Sequence, residues 1–224
     1  MELGTWNLKL GIYPPELHLC TMPIYKELPI SEHTKAAIWK IEEDESFFIA
    51  QTGLTSDKKN EVKRLEHLAG RFLLKHLLPH FELEKINISP LGKPYLVEEP
   101  LHFSITHSFP YIGVAIDYEK EIGIDVQTIQ ERIHRLQHKF LSPQEQLLCE
   151  DKTGKITLAW AAKEAAFKRY GLGAIDFIQH MPITQMDFTE NDVALKMAFA
   201  KDDHIVDIDL LGGIENEFAW SVTV

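Results

Sequence analysis

The chain has almost no cysteine. Cys20 and Cys149 are the only two, and no C-x-x-C pair occurs. That excludes a cysteine zinc site and a disulfide framework, and fits a reducing compartment. Long apolar runs are missing too: no segment approaches the ~20 residues a membrane span needs. The opening "MELGTWNLKLGIYPPELHL" has no basic head and no unbroken apolar core, so it does not read as a signal peptide. The expectation is a cytoplasmic protein without membrane attachment. Positive charge is scarce, with 23 Lys+Arg against 34 Asp+Glu and a net charge of −11. Phosphate backbones repel such a surface, so nucleic acid is not an expected partner, although a local basic patch could still serve a small phosphorylated ligand. Neither a G-x-x-x-x-G-K-[ST] loop nor a G-x-G-x-x-G turn is present, which argues against the common nucleotide-binding loops. No low-complexity tract or long linker divides the chain.

What remains is an ordinary globular composition, 45% hydrophobic and 25% charged over 224 residues, enough for one large domain or two small ones. An N-terminal region of short strands and turns at Pro14, Pro15, Pro23 and Pro29 precedes a helix expected near Ser31 to Trp39. A much stronger helix is expected over Asp57 to Leu78, stopped by Pro79. On it Val62, Leu65, Leu68, Ala69, Phe72 and Leu73 share one face, with Arg64, Arg71 and Lys75 along its edge. "PLHFSITHS" alternates as a strand does, and "YIGVAIDY" and "EIGIDVQTI" read as a hairpin around "DYEKE". A helical stretch near Ile133, a helix start at "LSPQEQ", a helix through "WAAKEAAFKRYG" and further strands ending in "FAWSVTV" complete the chain. Both halves run strand, turn, long basic helix, strands, which suggests an internal two-fold with a boundary near Lys120.

Four short motifs could carry chemistry. On the helix through "WAAKEAAFKRYG", Ala159, Ala162 and Ala166 form a small-residue face, and Glu164 and Lys168 stand one turn apart at its margin. They could be no more than a surface pair worth about 0.3–0.5 kcal/mol. Lys163 points among alanines and aromatics, where an ammonium needs a partner. In "GIDVQ", Asp125 and Gln127 share one strand face. Asp125 could accept backbone N–H groups at a strand end, or join Glu164 in holding Mg²⁺. "SITHS" is either a polar strand end or a set of hydroxyls and an imidazole for phosphate oxygens. "LGKP", from Leu91 to Pro94, is by itself an ordinary turn signal.

Their order and spacing are more specific than any one of them. "LAGRFLL", "LGKPYL", "FSITHS", "GIDVQ" and "WAAKEAAFK" together resemble the 4'-phosphopantetheinyl transferases, in their larger single-chain, pseudo-dimeric form. The resemblance implies an enzyme that moves the phosphopantetheine arm of coenzyme A onto a serine of an apo acyl or peptidyl carrier protein and releases adenosine 3',5'-bisphosphate. It implies Mg²⁺ held by Asp125 and Glu164, with Gln127 where many relatives have a second acid. Glu164 would take the serine proton. Lys168 would neutralise the phosphate under attack, and Lys163 would reach the same phosphates. Arg71, Lys93, Thr106 and His107, with Arg64 on the same stripe, would grip the phosphates and adenosine end of CoA. The alternative is a non-catalytic CoA-binding relative. Element order and resemblance together imply an α+β fold of two similar subdomains, 1–120 and 121–224. Each would be a long helix packed on a small antiparallel sheet, related by a pseudo-two-fold within a monomer.

Overall fold

A computed structural model describes residues 24–224 except 91, 98, 99, 172 and 191. The strands and turns expected around Pro14, Pro15 and Pro23, as well as Cys20 and Leu91, lie outside the described residues.

The first part contains β1 (Lys26–Ser31), β2 (Thr34–Lys40), α1 (Glu45–Thr52), α2 (Glu61–Leu77), β3 (Asn87–Ile88), β4 (Pro94–Tyr95), β5 (His102–Ser108) and β6 (Tyr111–Asp117). The second contains β7 (Ile124–Thr128), α3 (Pro143–Cys149), α4 (Thr153–Tyr170), α5 (Phe177–His180), β8 (Ile183–Phe188), β9 (Val193–Lys201), β10 (His204–Ile214) and β11 (Phe218–Thr223). Two antiparallel sheets result, ordered β1-β2-β6-β5 and β7-β11-β10-β9-β8, with β3 and β4 as a separate small pair.

Local chemistry accounts for the helices. The Asn60 side chain accepts the Lys63 N–H at 3.0 Å to start α2. Lys75 and His76 stand at its C-terminal end, where the helix dipole favours cations. The buried stripe Leu68, Ala69, Phe72 and Leu73 packs α2 on the first sheet. α3 opens with a capping box between Ser142 and Glu145. α4 turns its alanines to the second sheet and ends at Gly171, whose φ of 61° suits a glycine.

Strand alternation separates three cores. Ile112, Val114 and Ile116 of β6 face α2, and Ala219 of β11 faces α4. Tyr111 and Ala115 face Phe218, Trp220 and Val222, filling the space between the two sheets. The layers therefore run helix, sheet, sheet, helix.

Three sequence expectations are corrected. Residues 31–39 form no helix: they belong to β1, its turn and β2. Strand β2 lies between β1 and β6, and burying Trp39 on one face and Ile38 on the other requires strand alternation. β6 and β7 form no hairpin, because β6 pairs with β5 and β2 while β7 pairs with β11. The segment "YEKEIG" carries the chain from one sheet to the other instead. Around Ile133 only short 3₁₀ turns form, Glu131–Arg135 and Gln137–Lys139. Among the described residues no helix is long and apolar enough to cross a membrane.

Helix α4 comes close to the start of β7 at Gly123. A Cβ there would stand 1.9 Å from the Ala165 carbonyl oxygen. Gly123→Ala must push β7 away from α4, at an expected cost of about 1–3 kcal/mol of overpacking or more. Thermal unfolding should show it as a fall in Tm of several degrees; an unchanged Tm would refute the close approach.

Candidate active site

The contact of α4 with β7 sets the site. Asp125 on β7 is 1% exposed, and a carboxylate so far from water needs donors. It has three. Oδ1 accepts from Thr106 Oγ1 at 2.7 Å and from Lys168 Nζ at 2.5 Å. Oδ2 accepts from Gln127 Nε2 at 2.8 Å. Lys168 also donates to the Ile124 carbonyl at 3.3 Å. Its ammonium thus crosses to the strand rather than pairing with Glu164 one turn earlier on its own helix.

Glu164 and Lys168 line a groove of about 230 Å³ between the two parts of the chain, together with Lys93, Ser104, Ile105 and Phe167. Burial pushes the Glu164 carboxyl up to about 7; the negative charge of Asp125 adds to the rise and Lys168 opposes it. Among the described residues no group of three or more His, Cys, Asp or Glu could hold a metal. The site offers two carboxylates and an amide, hard oxygen donors that fit one Mg²⁺ only with further oxygens supplied from outside.

The residues expected to grip phosphate fall into different settings. Arg71 on α2 is half-buried, with neither carboxylate nor hydrogen-bond partner among the described residues, and desolvation lowers its pKa. His107 is held down by burial against the opposing pull of Glu66, whose Oε2 lies 3.4 Å from Nδ1. Lys93 reaches across to Glu121 at 2.5 Å and to the Arg169 carbonyl at 2.7 Å, at the C-terminal end of α4. Arg64 is committed to Glu45 at 2.9 Å and to the carbonyls of Lys58 and Lys59.

Two of the side chains expected at the phosphates have other partners in this structure. Lys163 does not reach the groove: it is 0% exposed and pairs with Glu145 at 2.5 Å, while also donating to the Phe177 carbonyl at 2.8 Å. Glu145 accepts the backbone N–H groups of Ser142 and Ile183, so this lysine ties α4 to α3 and β8. Thr106 does not face the groove as a phosphate ligand, because its hydroxyl is spent on Asp125 and on the Val126 N–H at 3.5 Å.

His67 was not singled out in the sequence. Among the described residues its Nδ1 is buried without a hydrogen-bond partner, and burial, Arg71 and Lys58 push its pKa down to about 4. The signal was there in its spacing, one helical turn before Arg71.

Between its ordinary value and about pH 7, the folded Glu164 carboxyl keeps a proton that the unfolded chain releases. Folded protein then binds more protons, so stability falls as pH rises through that window. Glu164→Gln is expected to raise Tm by a few degrees at pH 8 and to change it little at pH 4. A variant less stable than wild type at pH 8 would contradict the buried, unfavourable carboxylate.

Comparison with known proteins bears on the half of the chain that holds this cluster. A family model of the 4'-phosphopantetheinyl transferase superfamily matches residues 121–220. A Haemophilus influenzae protein provisionally named a 4'-phosphopantetheinyl transferase is 26% identical over 59% of this chain and 61% of its own length. The 4'-phosphopantetheinyl transferase AcpT of Escherichia coli K12 is 36% identical over 36% of this chain and 40% of its own. The L-aminoadipate-semialdehyde dehydrogenase-phosphopantetheinyl transferase of Rattus norvegicus is 26% identical over 71% and 60%. The chain thus spans between two-fifths and about three-fifths of the length of these curated relatives. The part built on β7 and α4, residues 121–220, is similar to the 4'-phosphopantetheinyl transferase superfamily.

Proposed function

We propose that this chain transfers the 4'-phosphopantetheine arm of coenzyme A to a serine hydroxyl of an acyl or peptidyl carrier protein and releases adenosine 3',5'-bisphosphate. The observation that carries the reading is the groove where Glu164 and Lys168 stand beside Asp125, inside the region matched by the family. The serine oxygen attacks the pyrophosphate phosphorus that bears the pantetheine arm, the bond from that phosphorus to the bridging oxygen breaks, and the serine proton passes to Glu164. In the metal-free protein burial raises the Glu164 carboxyl above the ordinary glutamate value, which makes it a stronger proton acceptor than an exposed glutamate. Lys168 supplies positive charge where negative charge accumulates.

Mg²⁺ would be held by Asp125 and Glu164, with the Gln127 amide in support, and would supply Lewis-acid neutralisation of the pyrophosphate. Arg71, without a partner among the described residues, together with His107 and Lys93, would receive the phosphates at the adenosine end, the 3'-phosphate above all. The reading further takes the chain as a cytoplasmic monomer, with halves 1–120 and 121–224 related by an approximate two-fold.

The direct test incubates the protein with CoA, Mg²⁺ and an apo carrier protein and weighs the carrier by mass spectrometry. A gain of one phosphopantetheine is expected. CoA binding without a gain would leave only the CoA-binding alternative. Glu164→Gln should slow transfer by a factor on the order of 10²–10⁴ while keeping CoA affinity measured without metal. Arg71→Ala should narrow the preference for CoA over 3'-dephospho-CoA; an unchanged ratio removes Arg71 from the phosphate site.

A further inference from the structure

Strands β5 and β7 are neighbours from different sheets, and the seam between them is built from side chains. Ile124 N–H donates to Ser104 Oγ at 3.2 Å, Val126 N–H to Thr106 Oγ1 at 3.5 Å, and Thr128 N–H to Ser108 Oγ at 3.0 Å. Alternate hydroxyls of β5 meet alternate N–H groups of β7, each rung 20 residues apart in sequence. Asp125 and Gln127 of β7 turn instead to β11 for backbone pairing. The "S-x-T-x-S" pattern thus satisfies the edge N–H groups that no backbone ladder reaches.

The middle rung does more than join strands. Thr106 Oγ1 accepts from Val126, so its single hydrogen is free for Asp125 Oδ1 at 2.7 Å. Its methyl is fixed as well: a Cβ on Gly113, opposite Thr106 in β6, would come within 2.8 Å of Thr106 Cγ2 and 2.9 Å of Val126 Cγ2. A locked side chain therefore aims one proton at one carboxylate oxygen. Ser104 and Ser108 spend their hydroxyls elsewhere, on the Ile124 and Thr128 N–H groups.

We infer that Thr106 is a positioning residue that fixes the Asp125 carboxylate for cation binding, through the central rung of a hydroxyl seam. The inference rests on the transferase reading. Groups that orient a metal-ligating carboxylate typically carry 10–100-fold in metal affinity. The experiment measures Mn²⁺ binding in the presence of CoA by water-proton relaxation, beside Tm and beside CoA affinity without metal. It compares wild type, Thr106→Val, Thr106→Ser and Ser108→Ala. Thr106→Val keeps the shape over Gly113 and loses the donor, and should weaken Mn²⁺ binding about tenfold or more while CoA affinity holds. Thr106→Ser restores the donor and should lie within about threefold of wild type. Ser108→Ala breaks a rung without touching Asp125; it should lower Tm as Thr106→Val does, yet leave Mn²⁺ binding intact. Equal Mn²⁺ affinities for Thr106→Val and Ser108→Ala would overturn the inference and leave the transferase reading standing. A wild type that binds no Mn²⁺ with CoA would overturn both.

Discussion

A carboxylate taken almost wholly out of water is the constraint around which this molecule is arranged. Burying the Asp125 charge costs several kcal/mol, and charge-assisted hydrogen bonds return about 1.5–3 kcal/mol each. One donor would not offset the cost; the three on Asp125 can. They come from three places, Thr106 on β5, Gln127 on β7 itself and Lys168 on α4. The first sheet, the second sheet and the long helix must therefore meet at this residue. Gly123 lets the helix come close enough, and the alanine face of α4 lets it lie flat.

Two lysines on α4 show how position divides structure from chemistry. Lys163 spends its charge in the core on Glu145, joining the starts of α3 and β8 to the middle of the helix. Such a pair is weak evidence of net stability, but breaking one side of it leaves a buried charge. Lys168, on another face, lies at the groove, and Glu164 stands on the same helix between them. Anchoring at Lys163 holds the backbone that presents Glu164. The raised carboxyl of Glu164 follows from the same arrangement: it is half-buried beside Asp125, whose own charge is held in place by its donors.

Local signals made α2, the start of α3 and α4 legible, through the apolar stripe of α2, "LSPQEQ" and the alanine face of α4; α1 (Glu45–Thr52) went unread. The motifs also named side chains that the fold gathers, since Asp125, Gln127 and Lys168 do meet and Glu164 lines the same groove. Partnerships across the fold were not legible. "TKAAIWK" has no helical or strand pattern strong enough to decide alone, and its place between β1 and β6 decides it. "YIGVAIDY" and "EIGIDVQTI" look like natural hairpin partners until the chain changes sheets between them. Lys163 needed an acid, and nothing local identified Glu145, 18 residues earlier in the sequence. Thr106 looked like a phosphate ligand because the spacing of hydroxyls cannot reveal that an unpaired strand edge lies opposite.

The account is tested most directly by titrating the Glu164 carboxyl itself, by carbon-detected NMR on the metal-free protein. Its midpoint should lie near 7, fall in Asp125→Asn and rise in Lys168→Met, because the first removes a repelling charge and the second an attracting one. A midpoint at the ordinary glutamate value, unmoved by either substitution, would mean that Glu164 neither is buried beside Asp125 nor feels Lys168, and would contradict the site as described.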